Sequence, residues 1–161
     1  MEPQAGKRVY NLLNLNYRRK RKRRLLERLR ETLVQPEKIN NTWSMDFMHD
    51  TLITGRKVRI LNIMDDYNRE ALAVKADYSQ SGKTVVITLE EIINWRGKSQ
   101  EIRCDNCPKF LSNSFVDYCQ KTGISIKYIQ PGKPTQNAYI ERFNRRYRED
   151  ILDAYLFVSL Y

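Results

Sequence analysis

An α/β fold, one mixed five-stranded sheet flanked by helices, is the architecture this sequence predicts, and three observations carry it. Apolar Trp43, Met45 and Phe47 alternate with other residues in TWSMDFMHDTL, the period of a strand with one buried face. In TVVITLEEIINWRG the period becomes helical, with Val85, Val86, Leu89, Ile92 and Ile93 apolar and Gly97 as a stop. Short links join the first strands, whereas later strands alternate with helices, a pattern that yields a mixed sheet.

The elements follow in order. After TWSMDFMHDTL, the ITGRK turn leads into VRILNIM, an apolar run suited to a more fully buried strand. DDYNR is turn chemistry, and EALAVKAD is the third strand of an antiparallel meander. The helix over residues 84–97 precedes QEIRCD, a short strand ending at Asp105. SNSFVDYCQKTG is a compact helix closed by Gly123, and ISIKYI a fifth strand. The loop QPGKPTQN leads to a last amphipathic helix, AYIERFNRRYREDILDAYL. This β-β-β-α-β-α-β-α order is also that of ribonuclease H-like folds. The fourth strand follows a helical crossover, so it can lie beside the first.

Bulk properties narrow the partners. The 161 residues are 41% hydrophobic, enough for a real core and against wholesale disorder. No apolar run approaches the roughly 20 residues of a membrane span, and MEPQAGKRVYNLLNLN lacks the apolar stretch of a secretory signal. Three cysteines argue against a disulfide framework and for a reducing compartment. The expected location is the cytoplasm. The net charge of +10 is uneven: residues 1–40 hold 12 Lys+Arg against 4 Asp+Glu, and the rest of the chain contributes only +2. The excess centres on Arg18, Arg19, Lys20, Arg21, Lys22, Arg23 and Arg24. With no apolar residue inside it, that run cannot be a buried face, and it suits the phosphates of a nucleic acid. A solvated tail or a localisation tag is the plainer alternative. The expected organisation is a basic arm over residues 1–40 followed by a folded core over 41–161.

Three acids stand out by context. Asp46 is set inside Trp-Ser-Met-Asp-Phe-Met, where burying a charge is costly unless it is paired or bound to metal. Asp105 ends the fourth strand, and Glu141 lies on the last helix. Helical spacing puts Glu141 on one face with Asn137, Asn144, Arg145 and Arg148, a face suited to a phosphate backbone. Three converging carboxylates repel unless a cation sits between them. Hard divalent ions bound through oxygen are the natural answer, and a pair of ions roughly 3.5–4 Å apart can clamp a phosphodiester.

These residues resemble the catalytic core of bacterial insertion-sequence transposases, the branch related to retroviral integrases. The resemblance runs from about Lys7 to Leu160 and rests on WSMDFMHD, ILNIMDDYNRE, RCDN with Pro108 and Phe110, and IQPGKPTQNAYIERFNRRYRED. It implies a catalytic and metal-binding triad of Asp46, Asp105 and Glu141 served by two Mg²⁺ or Mn²⁺ ions. The implied reaction is hydrolysis at transposon ends, then attack of the 3′-hydroxyl on target DNA, by a homo-oligomer assembled on DNA. It also implies DNA contacts from Asn144 and Arg148, with Lys133 and Gln136 in a loop approaching the DNA end.

Departures from the family pattern bear on activity. Relatives usually carry Asp-Asn-Gly-Pro-Glu-Phe where this chain has Asp105-Asn106-Cys107-Pro108-Lys109-Phe110. A side chain in place of that glycine is expected to strain the loop, and Lys109 to weaken metal binding. Both ends are short against the family pattern, so a core truncated at its C-terminus is expected. The alternatives are a catalytically impaired remnant that only binds DNA, and a nuclease for RNA–DNA hybrids.

Other motifs are weaker. Cys104 and Cys107 have zinc-knuckle spacing, but Cys119 and His49 supply no second pair of ligands. A redox pair normally opens a helix, and here the motif closes a strand, so Cys104 and Cys119 are expected to be small buried apolar residues. SGKT at Ser81 to Thr84 ends like a phosphate-binding loop but has Asp77 where the first glycine belongs. Asp65 and Asp66 are explained by their turn, yet stand next in line for the metal.

Overall fold

The computed structural model describes residue 33, residues 35–130 and residues 134–160. The basic run Arg18–Arg24 and Lys133 lie outside the described residues, as does most of the expected arm.

Among the described residues, five strands and three α-helices appear in the expected order: β1 (Thr42–Thr51), β2 (Lys57–Asp65), β3 (Ala71–Asp77), α1 (Gly82–Arg96), β4 (Glu101–Cys104), α2 (Asn113–Thr122), β5 (Ser125–Tyr128) and α3 (Ala138–Tyr147). They form one sheet in the order β3-β2-β1-β4-β5. β1–β2 and β2–β3 are antiparallel, as short links require, whereas β4 runs parallel to β1 and β5 parallel to β4. The crossover through α1 therefore delivers β4 to the edge of β1.

Alternation along β1 separates the two sheet faces. Trp43 and Met45 point to the first, level with Ile102 and Cys104 of β4 and, for Met45, Ile63 of β2. Val85, Leu89 and Ile92 of α1 and Phe115 and Cys119 of α2 close over them, with Phe110 stacked 5.0 Å from Phe47. Each such side chain, once buried, contributes about 1.5–3 kcal/mol. Ser44, Asp46 and Met48 point to the second face, where α3 lies across β1 and β2.

Two local signals are resolved more sharply than by sequence. α1 begins at Gly82, two residues before the expected start. The Ser81 side chain accepts from the Thr84 amide at 3.2 Å, and Thr84 answers as a capping box. A Cβ at Gly82 would run into the Ser112 side chain, so the glycine of SGKT lets α1 and α2 approach. Gly123 ends α2 in the left-handed region, φ 72°, with its amide donating to the Cys119 and Gln120 carbonyls.

The last helix departs from expectation. An unbroken helix to Leu156 was expected, but α3 ends at Tyr147 and a π turn, Arg148–Leu152, follows. The Asp153 amide reaches back to the Arg148 carbonyl at 2.8 Å. The chain then peels away: the Phe157 carbonyl accepts from Ile53, and Leu160 packs with Leu152 and Tyr147 on Met48, Leu52, Val58 and Ile60. Tertiary contacts with the β1–β2 turn override the helical period.

Candidate active site

Asp46 lies mid-way along β1 on the second face, opposite Asn62 of β2. The parallel register pairs Met45 with Cys104, so one step further brings Asp46 level with Asp105. The carboxylate of Asp46 is held from two directions, one of them backed by a further amide. Its own strand donates the Phe47 amide to Oδ1 at 2.8 Å, and α3 donates Asn144 Nδ2 to Oδ2 at 2.7 Å. Behind Asn144, Asn62 Nδ2 donates to Asn144 Oδ1 at 2.7 Å. This amide relay ties β2, α3 and β1 together at one carboxyl. Asn62 is fully buried, and Asn144 nearly so.

Burial pushes the Asp46 carboxyl up to about 6, and the charges of Asp105 and Glu141 push the same way against the pull of the Phe47 and Asn144 donors. Asp105 and Glu141 are thus both within electrostatic reach of Asp46. Asp105 is half-buried at the mouth of a loop in which the Cys107 amide donates to its Oδ1 at 3.1 Å. Glu141 is exposed in the first turn of α3. Among the described residues, no three His, Cys, Asp or Glu side chains stand close enough to form a closed metal cage. The donor set still fits a hard ion of the magnesium kind, which is held by one or two carboxylates and keeps several waters. Asp46 on β1 and Asp105, one residue past the end of the parallel strand β4, supply such a pair, their charges mutually repelling.

The expected face of α3 is corrected. Asn137 and Asn144 are buried, because this side of the helix packs on the sheet, so they do not stand on an exposed basic face with Glu141 and Arg145. Arg148 is half-buried. It donates to the His49 carbonyl at 2.6 Å and lies 3.9 Å from Asp50 and 3.7 Å from Asp153, which anchors the π turn to the end of β1. Gln136 Oε1 accepts from the Gln130 amide at 3.0 Å, bridging the ends of the loop.

The competing acids are committed elsewhere. Asp66 is fully buried, accepting from Ser44 Oγ at 2.6 Å and from the Arg103 guanidinium at 2.9 Å. Asp65 accepts from the Asn40 and Tyr67 amides, both at 2.9 Å. Neither is left free for a metal. The signal for Asn62 was present in VRILNIM, an amide in the middle of an apolar strand, and was not used. Arg103, buried beside Cys104, was likewise passed over.

The loop after Asp105 is not strained as expected. Among the described residues the positive-φ positions other than glycine are Asn40 and Arg69, so Cys107 is not in the left-handed region. Its amide caps Asp105, and its carbonyl accepts from Phe110 and Leu111. The Lys109 ammonium lies 4.7 Å from the Phe47 ring centroid, a cation–π contact. Cys104 and Cys119 are buried and free, and burial pushes the Cys104, Cys107 and Cys119 thiols up, Cys107 to about 11, the reverse of a reactive redox pair.

A family description reading "Integrase core domain" matches residues 36–134, and a second of the same name residues 122–161. The chain belongs to the integrase core domain family. It is 39% identical over 153 residues to an uncharacterized 39.2 kDa protein of insertion element IS476 from Xanthomonas euvesicatoria, covering 95% of this chain and 44% of that protein. It is equally similar, at 39% over 153 residues, to an uncharacterized 31.7 kDa protein of insertion element IS407 from Burkholderia multivorans, of which 55% is covered. The chain thus spans about half the length of these insertion-element relatives. Among solved structures, the HTLV-2 integrase catalytic core domain in complex with magnesium superposes with a TM-score of 0.55 at 20% identity, over 71% of this chain and 77% of that one. The simian T-cell lymphotropic virus intasome in complex with PP2A regulatory subunit B56 gamma gives a TM-score of 0.60 at 21% identity, over 71% and 43%. This integrase core has the ribonuclease H-like fold. Among the described residues no helix is long and apolar enough to cross a membrane.

Proposed function

We propose that this integrase core is the catalytic part of an insertion-sequence transposase, cutting and rejoining DNA strands with Asp46, Asp105 and Glu141. The observation that carries it is the half-buried carboxyl of Asp46, raised chiefly by its burial and further by the charges of Asp105 and Glu141, and held in place by Asn144 from α3. A carboxyl that merely stabilised the fold would have a cationic partner, as Asp66 has in Arg103. Asp46 instead has two acids, an arrangement that costs stability and suits a site completed by a cation.

Asp46 and Asp105 are the groups that would hold Mg²⁺ or Mn²⁺, with Glu141 as the third carboxylate. Bound there, such ions supply charge neutralisation at the scissile phosphate and a lowered pKa for an attacking hydroxyl. The chain supplies the rest. The β1–β4 register fixes the Asp46–Asp105 spacing, and the Asn62–Asn144 relay fixes the rotamer of Asp46. The exposed guanidinium of Arg145, one turn beyond Glu141, meets the DNA backbone beside the carboxylates. Gln136 and Lys133 approach the DNA end, and the run Arg18–Arg24 adds salt-sensitive affinity without sequence preference. A homo-oligomer on DNA is the working form, and the bacterial nucleoid its location.

The test is Mn²⁺-supported nicking of supercoiled plasmid. The unaltered chain nicks and Asp105→Asn does not, while both retain salt-sensitive binding. Full nicking by Asp105→Asn would move the chemistry to other residues.

A further inference from the structure

We propose that a cavity on the outer flank of α3 binds single-stranded nucleic acid, its arginines taking phosphates and Phe143 an unpaired base. The cavity has a volume of about 690 Å³, inside the roughly 300–1,000 Å³ of ligand sites. Arg69, Arg142, Arg145 and Arg146 line it together with Tyr139 and Phe143, and Glu149 is the one acid in the lining. Four guanidiniums against one carboxylate leave a strong positive excess. Among the described residues, Arg142, Arg145 and Arg146 form no ion pair, and all three are exposed. Nothing in the described fold neutralises them.

Arg69 adds an independent observation. Its backbone has φ 63°, a conformation uncommon for residues other than glycine. Its amide donates to the Asp65 carbonyl at 2.9 Å, and its guanidinium carbon sits 3.2 Å from the Tyr139 ring centroid. The β2–β3 turn thus holds a planar cation flat against the cavity wall. Backbone outliers held by their surroundings cluster at ligand-binding and active sites.

The position of the cavity says which ligand it would meet. On α3, Arg145 follows Glu141 by one turn on the same stripe, and Arg142 and Arg146 form the adjacent stripe. The positive surface therefore continues from the carboxylates into the cavity, and a strand leaving the carboxylates passes Arg145 to enter it. Guanidinium forks match phosphate oxygens. The cavity also has an apolar side, half-buried Phe143 over Met64, which is 1% exposed. A duplex presents phosphates there and keeps its bases stacked inside. A single strand offers phosphates and a free π-face together, and aromatic platforms between basic side chains are how such strands are held.

The proposal rests on the polynucleotide reading given above. The experiment is a fluorescence-anisotropy titration in EDTA of a labelled strand of about 16 nucleotides, the upper end of common single-strand site sizes, and of the same sequence as a duplex. Arg142→Glu/Arg146→Glu is compared with a charge-matched control, Lys83→Glu/Lys121→Glu, and with Phe143→Leu, each checked for folding by its thermal melt. The expected result is at least a tenfold greater loss of single-strand affinity in the cavity variant than in the control. Its salt slope becomes shallower by about 1.4, two phosphate contacts' worth. Phe143→Leu weakens single-strand binding about fivefold or more and leaves duplex binding alone. Equal losses in cavity and control variants would overturn the proposal, as would equal effects of Phe143→Leu on strand and duplex. Polyglutamate displacing the strand as well as an unlabelled strand does would assign the cavity to an acidic protein segment instead. Because EDTA removes cleavage, lost nicking with intact cavity binding counts against the catalytic reading alone.

Discussion

The two faces of the sheet are built from the same strands and do opposite things. On the first, Trp43, Met45, Leu61, Ile63, Ile102 and Cys104 meet α1 and α2 in an apolar layer with every large side chain removed from water. On the second, the residues between them, Ser44, Asp46, Asn62 and Arg103, form a polar layer under α3 and beside the Asp66 turn. One face gains free energy from burial. The other spends part of it to hold a carboxyl near neutrality, and that contrast separates scaffold from site.

Substitutions on the two faces should therefore fail differently. The largest effect is expected from Asp105→Asn, which loses metal-dependent nicking to background while its urea midpoint shifts little. Trp43→Ala, on the first face, is expected to cost about 3–5 kcal/mol in urea unfolding, with any surviving folded protein still nicking. If Asp105→Asn unfolds the chain as Trp43→Ala does, the division between the faces is wrong.

Asn144→Ala sits between these extremes. It leaves Asp46 with only its Phe47 donor and the Nδ2 of buried Asn62 without its acceptor, a cost of about 1–3 kcal/mol. Loss of the amide donor also moves the Asp46 titration further upward, which a pH–nicking profile reads as a shift to higher pH. Asp46→Asn tests the same carboxyl through stability. Its folded pKa, about 6, is above the 3.8 of an ordinary aspartate. The favourable protonated form is present in full below about 4 and lost as pH rises through 6. The neutral variant is then expected to be more stable than the unaltered chain by on the order of 2 kcal/mol at pH 8, with no such gain at pH 4. Thermal melts at the two pH values check the sign, and added Mn²⁺ should narrow the gap. The smallest effect is expected from Arg148→Ala. It releases the His49 carbonyl and loosens the π turn, for about 1 kcal/mol and a modest loss of DNA affinity.

The first face was legible in sequence because its information is local. Alternation in β1 and the helical stripe of α1 announce which side chains go in, whatever they meet. The second face was legible only where a residue contradicted its surroundings, as Asp46 does. The end of α3 was misread because the period of residues 138–156 is helical, and what breaks it are contacts distant in sequence, Arg148 to His49, Phe157 to Ile53 and Leu160 on the β1–β2 end. Asn144 was assigned outward by helical spacing from Glu141. Its real partners, on β1 and β2, are 98 and 82 residues away, and no spacing rule reaches them. Cys107 was read through a glycine-bearing pattern, whereas the loop obtains its shape from the Asp105 cap with ordinary backbone angles.

The parallel pairing of β1 with β4 has a mechanical consequence. Neighbouring strands lie about 4.8 Å apart by virtue of their backbone ladder, so the last pair of that ladder, Met45 with Cys104, carries Asp46 and Asp105 as the next residues on one block of sheet. Glu141 rides on a helix and is mounted separately. Asn144 of α3 donates to Asp46 and accepts from Asn62, so any movement of α3 that carries Glu141 toward or away from the sheet must stretch or break these two bonds.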